Sequence, residues 1–304
     1  MIGYFISSII KIKFSKKGLT KMILTAVSIL AAMAMGSMYY DNNNITISKY
    51  NIKSKKLPKS FNEFKILQLS DLHSKKFGKE NERLIKIINK ENPDIIVMTG
   101  DMINSTEKEF STFIDMLNKL KNYKMYFVEG NNETRLPKNK NVELMKLIEE
   151  AGVKILNNSK EKLKIGEETI NLYGIWLNLI YYKEIKSGYK EDTYYSKNDL
   201  EKNIGECNNL EYNILLAHNP LYFDSYAEWG ADLTLSGHIH GGLIRIPGVG
   251  GLLSPERKFF PKYSEGKYKI EDKKLIVNRG LGSKIFIPRI FNMPEISLII
   301  LKAE

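Results

Sequence analysis

The chain has 304 residues, 43% of them hydrophobic and 27% charged, a balance that excludes disordered, collagenous and multi-spanning membrane classes and leaves one main domain as the expectation. Its net charge of +11 is unevenly placed: residues 1–60 hold ten lysines against the single acid Asp41, which leaves only +2 for residues 61–304. A nucleic-acid partner would need a basic stripe on the folded part, so none is expected. A lone cysteine, Cys207, excludes an internal disulfide and any thiolate metal cluster.

Residues 1–21 form a basic segment, and residues 22–40 (MILTAVSILAAMAMGSMYY) follow without a formal charge, close to the roughly 20 residues that cross a bilayer as a helix. The lysines ahead of that stretch predict a cytoplasmic N-terminus and a single-pass anchor with the rest of the chain on the extracytoplasmic face. Ala32-Met33-Ala34 has the small-x-small pattern of a cleavage site, so a cleavable signal is the alternative. Tyr39 and Tyr40 suit an interfacial position. Residues 41–61, rich in Asn and Lys without a sustained period, read as a linker.

Residues 62–304 read as one α/β domain, two packed mixed β-sheets flanked by helices, because short apolar runs alternate with amphipathic stretches. Strands are predicted at 64–70, 94–99, 124–129, 153–156, 212–217, 232–236 and 295–302, with hairpins across 162–173 and 266–278. Helices are predicted at 80–91, 107–121, 142–151 and 220–229. The Tyr- and Trp-containing stretch 176–196 reads either as a lip that touches a lipid or aromatic substrate or as a surface excursion with partly buried aromatics.

Five polar segments each begin where an apolar strand is predicted to end: Asp71-Leu72-His73, Gly100-Asp101, Gly130-Asn131-Asn132-Glu133, Ala217-His218-Asn219 and Gly237-His238-Ile239-His240. Strand carboxyl ends are where open α/β sheets bind ligands. Residues two apart on extended chain point to one side, so Asp71 with His73, and His238 with His240, can reach a common ion. Each segment alone is weak, but all four histidines of the chain fall inside them. Oxygen and imidazole donors without sulfur suit Mn, Fe or Zn. Lys75 and Lys76, just beyond, read as phosphate contacts or as a solvated face.

These segments resemble, in order and spacing over about residues 62–304, the D-x-H, G-D, G-N-H-D/E, H and G-H-x-H pattern of the calcineurin-like metallophosphoesterase superfamily. Gly241 to Gly248, Asn278 to Gly282 and Pro294-Glu295-Ile296 look like its membrane-associated bacterial phosphodiesterases, a subgroup similar to UDP-2,3-diacylglucosamine hydrolases. The resemblance implies a four-layer sandwich with one metal on Asp71, His73, Asp101 and His240, a second on Asp101, Asn131, His218 and His238, and Asp101 as the bridge. It implies a monomer that hydrolyses a phosphodiester or pyrophosphate bond of a phosphoester or nucleotide-lipid substrate by attack of a metal-bridging hydroxide. The chain departs from the pattern at Asn132, where the family has the histidine credited with steadying the transition state and protonating the leaving oxygen. An amide can donate a hydrogen bond to phosphate but cannot transfer a proton, which favours substrates with good leaving groups. The alternative is a metal-binding but weakly active scaffold at the membrane surface.

Overall fold

The computed structural model describes residues 16–183, 190, 193–242, 244–255, 257–282 and 289–304. Of the basic segment, residues 1–15 lie outside the described residues, as do 184–189 and 191–192 of the Tyr-rich stretch and Leu243 of the Gly-rich motif.

The apolar segment forms helix α1 (Lys16–Asn43), which extends past both ends of the predicted span. Its side chains are almost wholly exposed, apart from Asp41 in the last turn. The expected linker is not one. Strand β1 (Thr46–Ser54) starts two residues beyond α1 and pairs in parallel with β14 (Glu295–Ala303), so the domain begins at Thr46 rather than Asn62. The apolar residues of β1 change sides half-way: Ile47 packs on the helix side of the sheet, while Tyr50 and Ile52 turn to the opposite face. That switch hides the period of two in the sequence. Lys49 and Lys53 between them suit an edge strand, and Lys49 reaches Glu91 at 2.7 Å.

The first sheet has the order β1-β14-β2-β3-β4-β5, with β2 (Lys65–Leu69), β3 (Ile95–Met98), β4 (Lys124–Phe127) and β5 (Val153–Ile155) mutually parallel. β14 runs antiparallel to β2. The second sheet has the order β12-β13-β9-β8-β7-β6, built from β6 (Ser159–Ile165), β7 (Glu168–Ile175), β8 (Asn213–Ala217), β9 (Leu233–Ser236), β12 (Gly266–Ile270) and β13 (Lys273–Val277). Within it β7, β8, β9 and β13 are parallel. β10 (Arg245–Ile246) and β11 (Gly250–Gly251) form a separate two-stranded hairpin.

Alternation along the central strands builds the layers. Ile66, Ile95, Val97, Ile214, Leu216, Leu233, Leu235 and Ile276 pack between the sheets. Their neighbours Leu67, Leu69, Ile96 and Met98 face α2 (Glu82–Glu91), α3 (Ser111–Lys119) and α5 (Lys138–Glu150), whose buried stripes include Leu84 and Ile88, Phe113 and Leu117, and Leu144 and Ile148. Leu215, Leu275 and Val277 face α6 (Lys197–Ile204) and α7 (Phe223–Trp229) on the other side. α6 begins at Ser196, whose hydroxyl and backbone make a reciprocal cap with Asp199. The result is helix, sheet, sheet, helix, as expected from the α/β reading.

Candidate metal centre

Gln68, a polar residue inside the apolar run of β2, ties the sheets together at one rim: its amide donates to Thr99 Oγ1 at 3.0 Å and to the Ser236 carbonyl at 2.9 Å. At that rim β2, β3 and β4 of the first sheet and β8 and β9 of the second all end, and the five polar segments meet. Asp71, His73 and His240 form one buried group whose ligand atoms lie within 4.8 Å of one another, and Asp101, His218 and His238 form another. His240 Nε2 lies 3.3 Å from Asp71 Oδ1 and 3.2 Å from His73 Nε2. Asp101 stands between the groups, with Oδ2 at 3.8 Å from His73 Nε2 and Oδ1 at 3.5 Å from His218 Nε2.

The loops that carry these side chains are bent sharply. Asp71, His73, Asp101, His238 and His240 all have positive φ, between 48° and 70°, a conformation that costs a non-glycine residue roughly 1–2 kcal/mol. Backbone bonds hold the bends: the Asp71 amide donates to Gly100 O at 2.9 Å, His73 to Asp101 O at 3.0 Å and Ser74 to Met102 O at 3.0 Å. From the second sheet, the His238 amide donates to both oxygens of Asp71 at 3.2 and 3.1 Å, while Ser70 Oγ donates to Oδ2 at 2.6 Å.

Glu133 acts as a clasp that its place in the sequence did not disclose. It lies in the one-turn helix α4 (Asn131–Thr134), and its buried carboxylate accepts from the amides of Asp101, Met102 and Gly130 at 2.9, 2.7 and 2.9 Å and from Ile103 at 3.3 Å. It therefore joins the turn after β4 to the turn after β3. Burial, then the charge of Asp101, push Glu133 up to about 8, against the pull of His218 and of the amides. Glu133→Gln keeps the shape but halves the acceptor capacity, and should weaken Mn²⁺ affinity by roughly 10–100-fold in a calorimetric titration, the usual cost of losing a group that orients ligands.

Electrostatics fit a cation site. Burial alone would drive His218 down, but the Asp101 and Asp71 carboxylates raise it to about 9. Burial also opposes the charge on Asp101, yet His218 and His73 hold it well below the usual carboxylate range. Burial, together with His73 and Arg289, holds His240 well below the usual imidazole range, which keeps it an electron-pair donor. His218 Nδ1 lies 2.5 Å from the Thr99 carbonyl, so Nε2 is the nitrogen turned to the centre. The Asn131 amide adds to that group, facing His218 Nε2 at 3.3 Å, His238 Nδ1 at 3.1 Å and Asp101 Oδ2 at 3.3 Å. With its oxygen inward it is a further hard donor of the kind first-row divalent metals take. Four imidazoles, two carboxylates and an amide in two groups fit a pair of such ions.

Asn132 is placed differently from the expectation of a phosphate contact. Its backbone amide donates to Asp101 Oδ1 at 2.7 Å, its side-chain nitrogen donates to Asp101 Oδ2, and its oxygen accepts from the Ser105 amide at 3.2 Å. Both ends are occupied within the protein, and the side chain orients the carboxylate that stands between the two groups.

Sequence reasoning also missed the outer supports. Arg289 is fully buried and gives its guanidinium to the carbonyls of Arg279, Gly282 and Asn292, which shapes the loop against which Asp71 packs, and burial pushes it down to about 10. Asn292 Nδ2 donates to the His240 carbonyl at 2.7 Å. Of the Tyr-rich stretch, Tyr182 packs edge-on against His238 at 5.1 Å between ring centres and beside His218 at 5.8 Å. Tyr195 is buried as well and Tyr194 is half exposed, so the described part of that stretch follows the structural reading more than the lip. Lys75 Nζ lies over the Phe77 ring at 4.8 Å, pushed down to about 8 by burial and Arg289, while Lys76 is exposed.

Residues 64–242 match the family model for the calcineurin-like phosphoesterase, which covers all five segments. The chain belongs to this family. It is a hydrolase of phosphoric esters, and the family's use of divalent metals agrees with the two buried groups. This phosphoesterase is 28% identical to the uncharacterized metallophosphoesterase YkuE of Bacillus subtilis, over 96% of this chain and 99% of that one. It is 26% identical to the phosphodiesterase YaeI of Escherichia coli, over 78% and 81% of the two chains. With a zebrafish (Danio rerio) protein described as a transmembrane protein with metallophosphoesterase domain it shares 27% over 94% of this chain and 64% of that one. In the phosphoesterase itself α1 is long and apolar enough to cross a membrane.

Proposed function

We propose that this phosphoesterase is a membrane-anchored hydrolase with two metal ions that cleaves a phosphodiester or pyrophosphate bond, in a lipid or cell-envelope precursor of the nucleotide-lipid kind. The observation that supports the reading is the position of Asp101 between the two groups, one oxygen towards His73 and the other towards His218. Asp71, His73, Asp101 and His240 would hold the first ion, and Asp101, Asn131, His218 and His238 the second. A pair of Mn, Fe or Zn ions supplies Lewis acidity toward the phosphoryl oxygens and a water nucleophile that is deprotonated near neutral pH. The protein's own part is to fix that geometry: Glu133 and Asn132 orient Asp101, Ser70 and His238 orient Asp71, and Thr99 sets the tautomer of His218.

The membrane side of the reading is supported by α1, which is long and apolar enough to cross a membrane and ends only two residues before β1. With the lysines of the N-terminal segment kept on the cytoplasmic side, the catalytic domain stands on the extracytoplasmic face as a monomer. The decisive experiment is a substrate panel on Mn²⁺-loaded full-length protein in detergent micelles: bis(p-nitrophenyl) phosphate, UDP-linked lipids, phosphomonoesters and cyclic nucleotides. Diester and pyrophosphate turnover that EDTA abolishes is expected. Full metal occupancy without turnover of any phosphoester would leave the scaffold reading instead.

The same panel bears on Asn132. With no histidine there, substrates whose leaving oxygen needs no protonation are favoured. Asn132→His also removes the amide that holds Asp101, a cost both substrates share, so the expected result is a rise of about 10²-fold in the ratio of simple alkyl diester to p-nitrophenyl diester turnover, the lower end of what a positioned general acid contributes. An equal effect on both substrates refutes the assignment.

A further inference from the structure

The last turns of α1 do not project freely from the domain. Ser37 Oγ accepts from the Phe291 amide at 2.7 Å, Asp41 Oδ2 accepts from the Asn292 amide at 2.9 Å and from Ser37 at 2.7 Å, and Arg83 donates to the Asn43 carbonyl at 2.9 Å. Asp41 is buried by these contacts. Asn292 in turn holds the carbonyl of His240. The helix end, the 290–292 loop and one edge of the metal centre are thus a single hydrogen-bonded unit.

This joint fixes the height of the neighbouring surface. Ser37 lies three residues before Tyr40, about 4–5 Å along the axis at 1.5 Å per residue, and inside the stretch that carries no charge. When α1 spans a bilayer up to its Tyr39-Tyr40 belt, Phe291 is therefore carried below the level of that belt, into the boundary between headgroups and acyl chains.

The surface that adjoins Phe291 is apolar. Arg245 N donates to Ile290 O at 3.0 Å, so the β10–β11 hairpin abuts the 290–292 loop, and Phe260 N donates to Leu252 O at 3.0 Å, which adds the 257–262 run to the same lobe. The lobe exposes Phe259 by 69%, Val249 by 65% and Phe260 by 58%, with Ile246 and Phe291 also open to solvent. Arg257, Lys258 and Lys262 beside them are exposed; Lys262 is 3.3 Å from Asp224. Exposed phenylalanines flanked by long cations are the composition of a surface that enters the headgroup region, where the rings sink and the charges snorkel to phosphates. A patch of this kind on a folded surface marks an interaction site.

We infer that the lobe formed by the β10–β11 hairpin, Arg257 to Lys262 (Glu256 outside the described residues) and Phe291 is a bilayer-seating surface. It sinks Val249, Phe259, Phe260 and Phe291 into the leaflet at the outer end of α1. The lobe is bonded directly to the metal-centre loop, since Arg245 donates to Gly241 O at 3.1 Å and Leu253 N to Gly242 O at 3.2 Å. Seating therefore holds the His240 edge of the centre at headgroup height. This inference rests on α1 being a membrane helix, and it goes beyond that reading by making the domain itself a second, interfacial contact.

The test uses the full chain in vesicles of phosphatidylcholine and phosphatidylglycerol with and without brominated acyl chains. Phe259→Trp is the reporter and Leu210→Trp the control, because Leu210 is 92% exposed just before β8, at the rim away from the metal centre. Bromolipid should quench the added Phe259→Trp emission by more than about two-fold and leave the Leu210→Trp emission unchanged, since only a ring in the acyl region meets bromine. Protein that stays in the vesicles through alkaline carbonate but whose Phe259→Trp emission is unquenched overturns the seating surface alone. Release by carbonate overturns the membrane helix and the surface with it. A reporter shielded from aqueous iodide yet blind to bromolipid means that a second copy or another protein covers the lobe, and also overturns it.

Discussion

Asp101→Asn should lower phosphodiester turnover by about 10³-fold or more, equivalent to roughly 4 kcal/mol of transition-state stabilisation. The substitution is close to isosteric but keeps only one of the two oxygens to which Asn132 donates, so the melting temperature of the variant is measured beside its turnover. It removes the negative charge that lies between His73 and His218 and that, on the proposed reading, would serve both ions. Two cations bound there would repel each other, a carboxylate between them would offset that repulsion, and a neutral amide would offer one weak donor in its place. Metal content should fall accordingly, from two ions per chain towards one or none, read by plasma mass spectrometry on the purified variant. Asp71→Asn makes the informative comparison, because Asp71 belongs to the first group only and should spare the second ion. Turnover of Asp101→Asn within ten-fold of the parent, with both ions retained, would remove Asp101 from its bridging place.

The second large effect needs no change of charge at all. Gly100→Ala should lower the melting temperature of the metal-loaded protein by roughly 10 °C and abolish turnover. Gly100 sits at φ +88°, and a Cβ built there would lie 2.5 Å from the Gly130 amide nitrogen and 2.8 Å from His218 Nδ1. Neither neighbour can retreat, since Gly130 N is bound to Glu133 and His218 Nδ1 to the Thr99 carbonyl. Backbone strain of about 1–3 kcal/mol adds to an overpacking cost of about 1–3 kcal/mol, and each kcal/mol moves the melting temperature of a domain this large by about 2–4 °C. Gly152→Ala supplies the reference: its φ is also positive, at +84°, but its Cβ meets nothing within 4 Å, so strain acts there without collision. A scanning calorimetry difference of less than about 2 °C between the two variants would show that the turn after β3 is looser than its contacts suggest.

Much of this architecture could be read in the sequence, and the exceptions share a cause. The strands that carry the centre are short apolar runs ended by Asp, Gly, His or Asn, so both their position and the direction in which they deliver side chains follow from local pattern. The β6–β7 and β12–β13 hairpins were legible for the same reason, through Gly166-Glu167 and Glu271-Asp272. β1 was not, because its apolar residues serve one core and then the other, and because its partner lies more than two hundred residues away. The direction of the Asn132 amide was hidden too: the motif tells which residue follows Asn131 but not that Ser105 and Asp101 occupy both its ends. Arg289 and Asn292 act through backbone carbonyls, which have no sequence signature. Glu133 stood inside a recognised segment, yet its task is to gather amides from a loop some thirty residues earlier, which only the folded chain brings near.

The pairing of β1 with β14 has a consequence for the order of assembly. α1 and β1 leave the ribosome ahead of the rest of the domain, but the strand on which β1 docks is completed only when residues 295–303 emerge. β14 also stands between β1 and β2, so the first sheet cannot close over its inter-sheet core until then. α1 is therefore made while the domain behind it is still open, and the arrival of β14 is the event that locks the sheet, a late and non-local closure of the kind that folds slowly. Until that moment β1 is an unpaired edge, and Lys49 and Lys53 are charges of the kind that keep such an edge from pairing with the wrong strand.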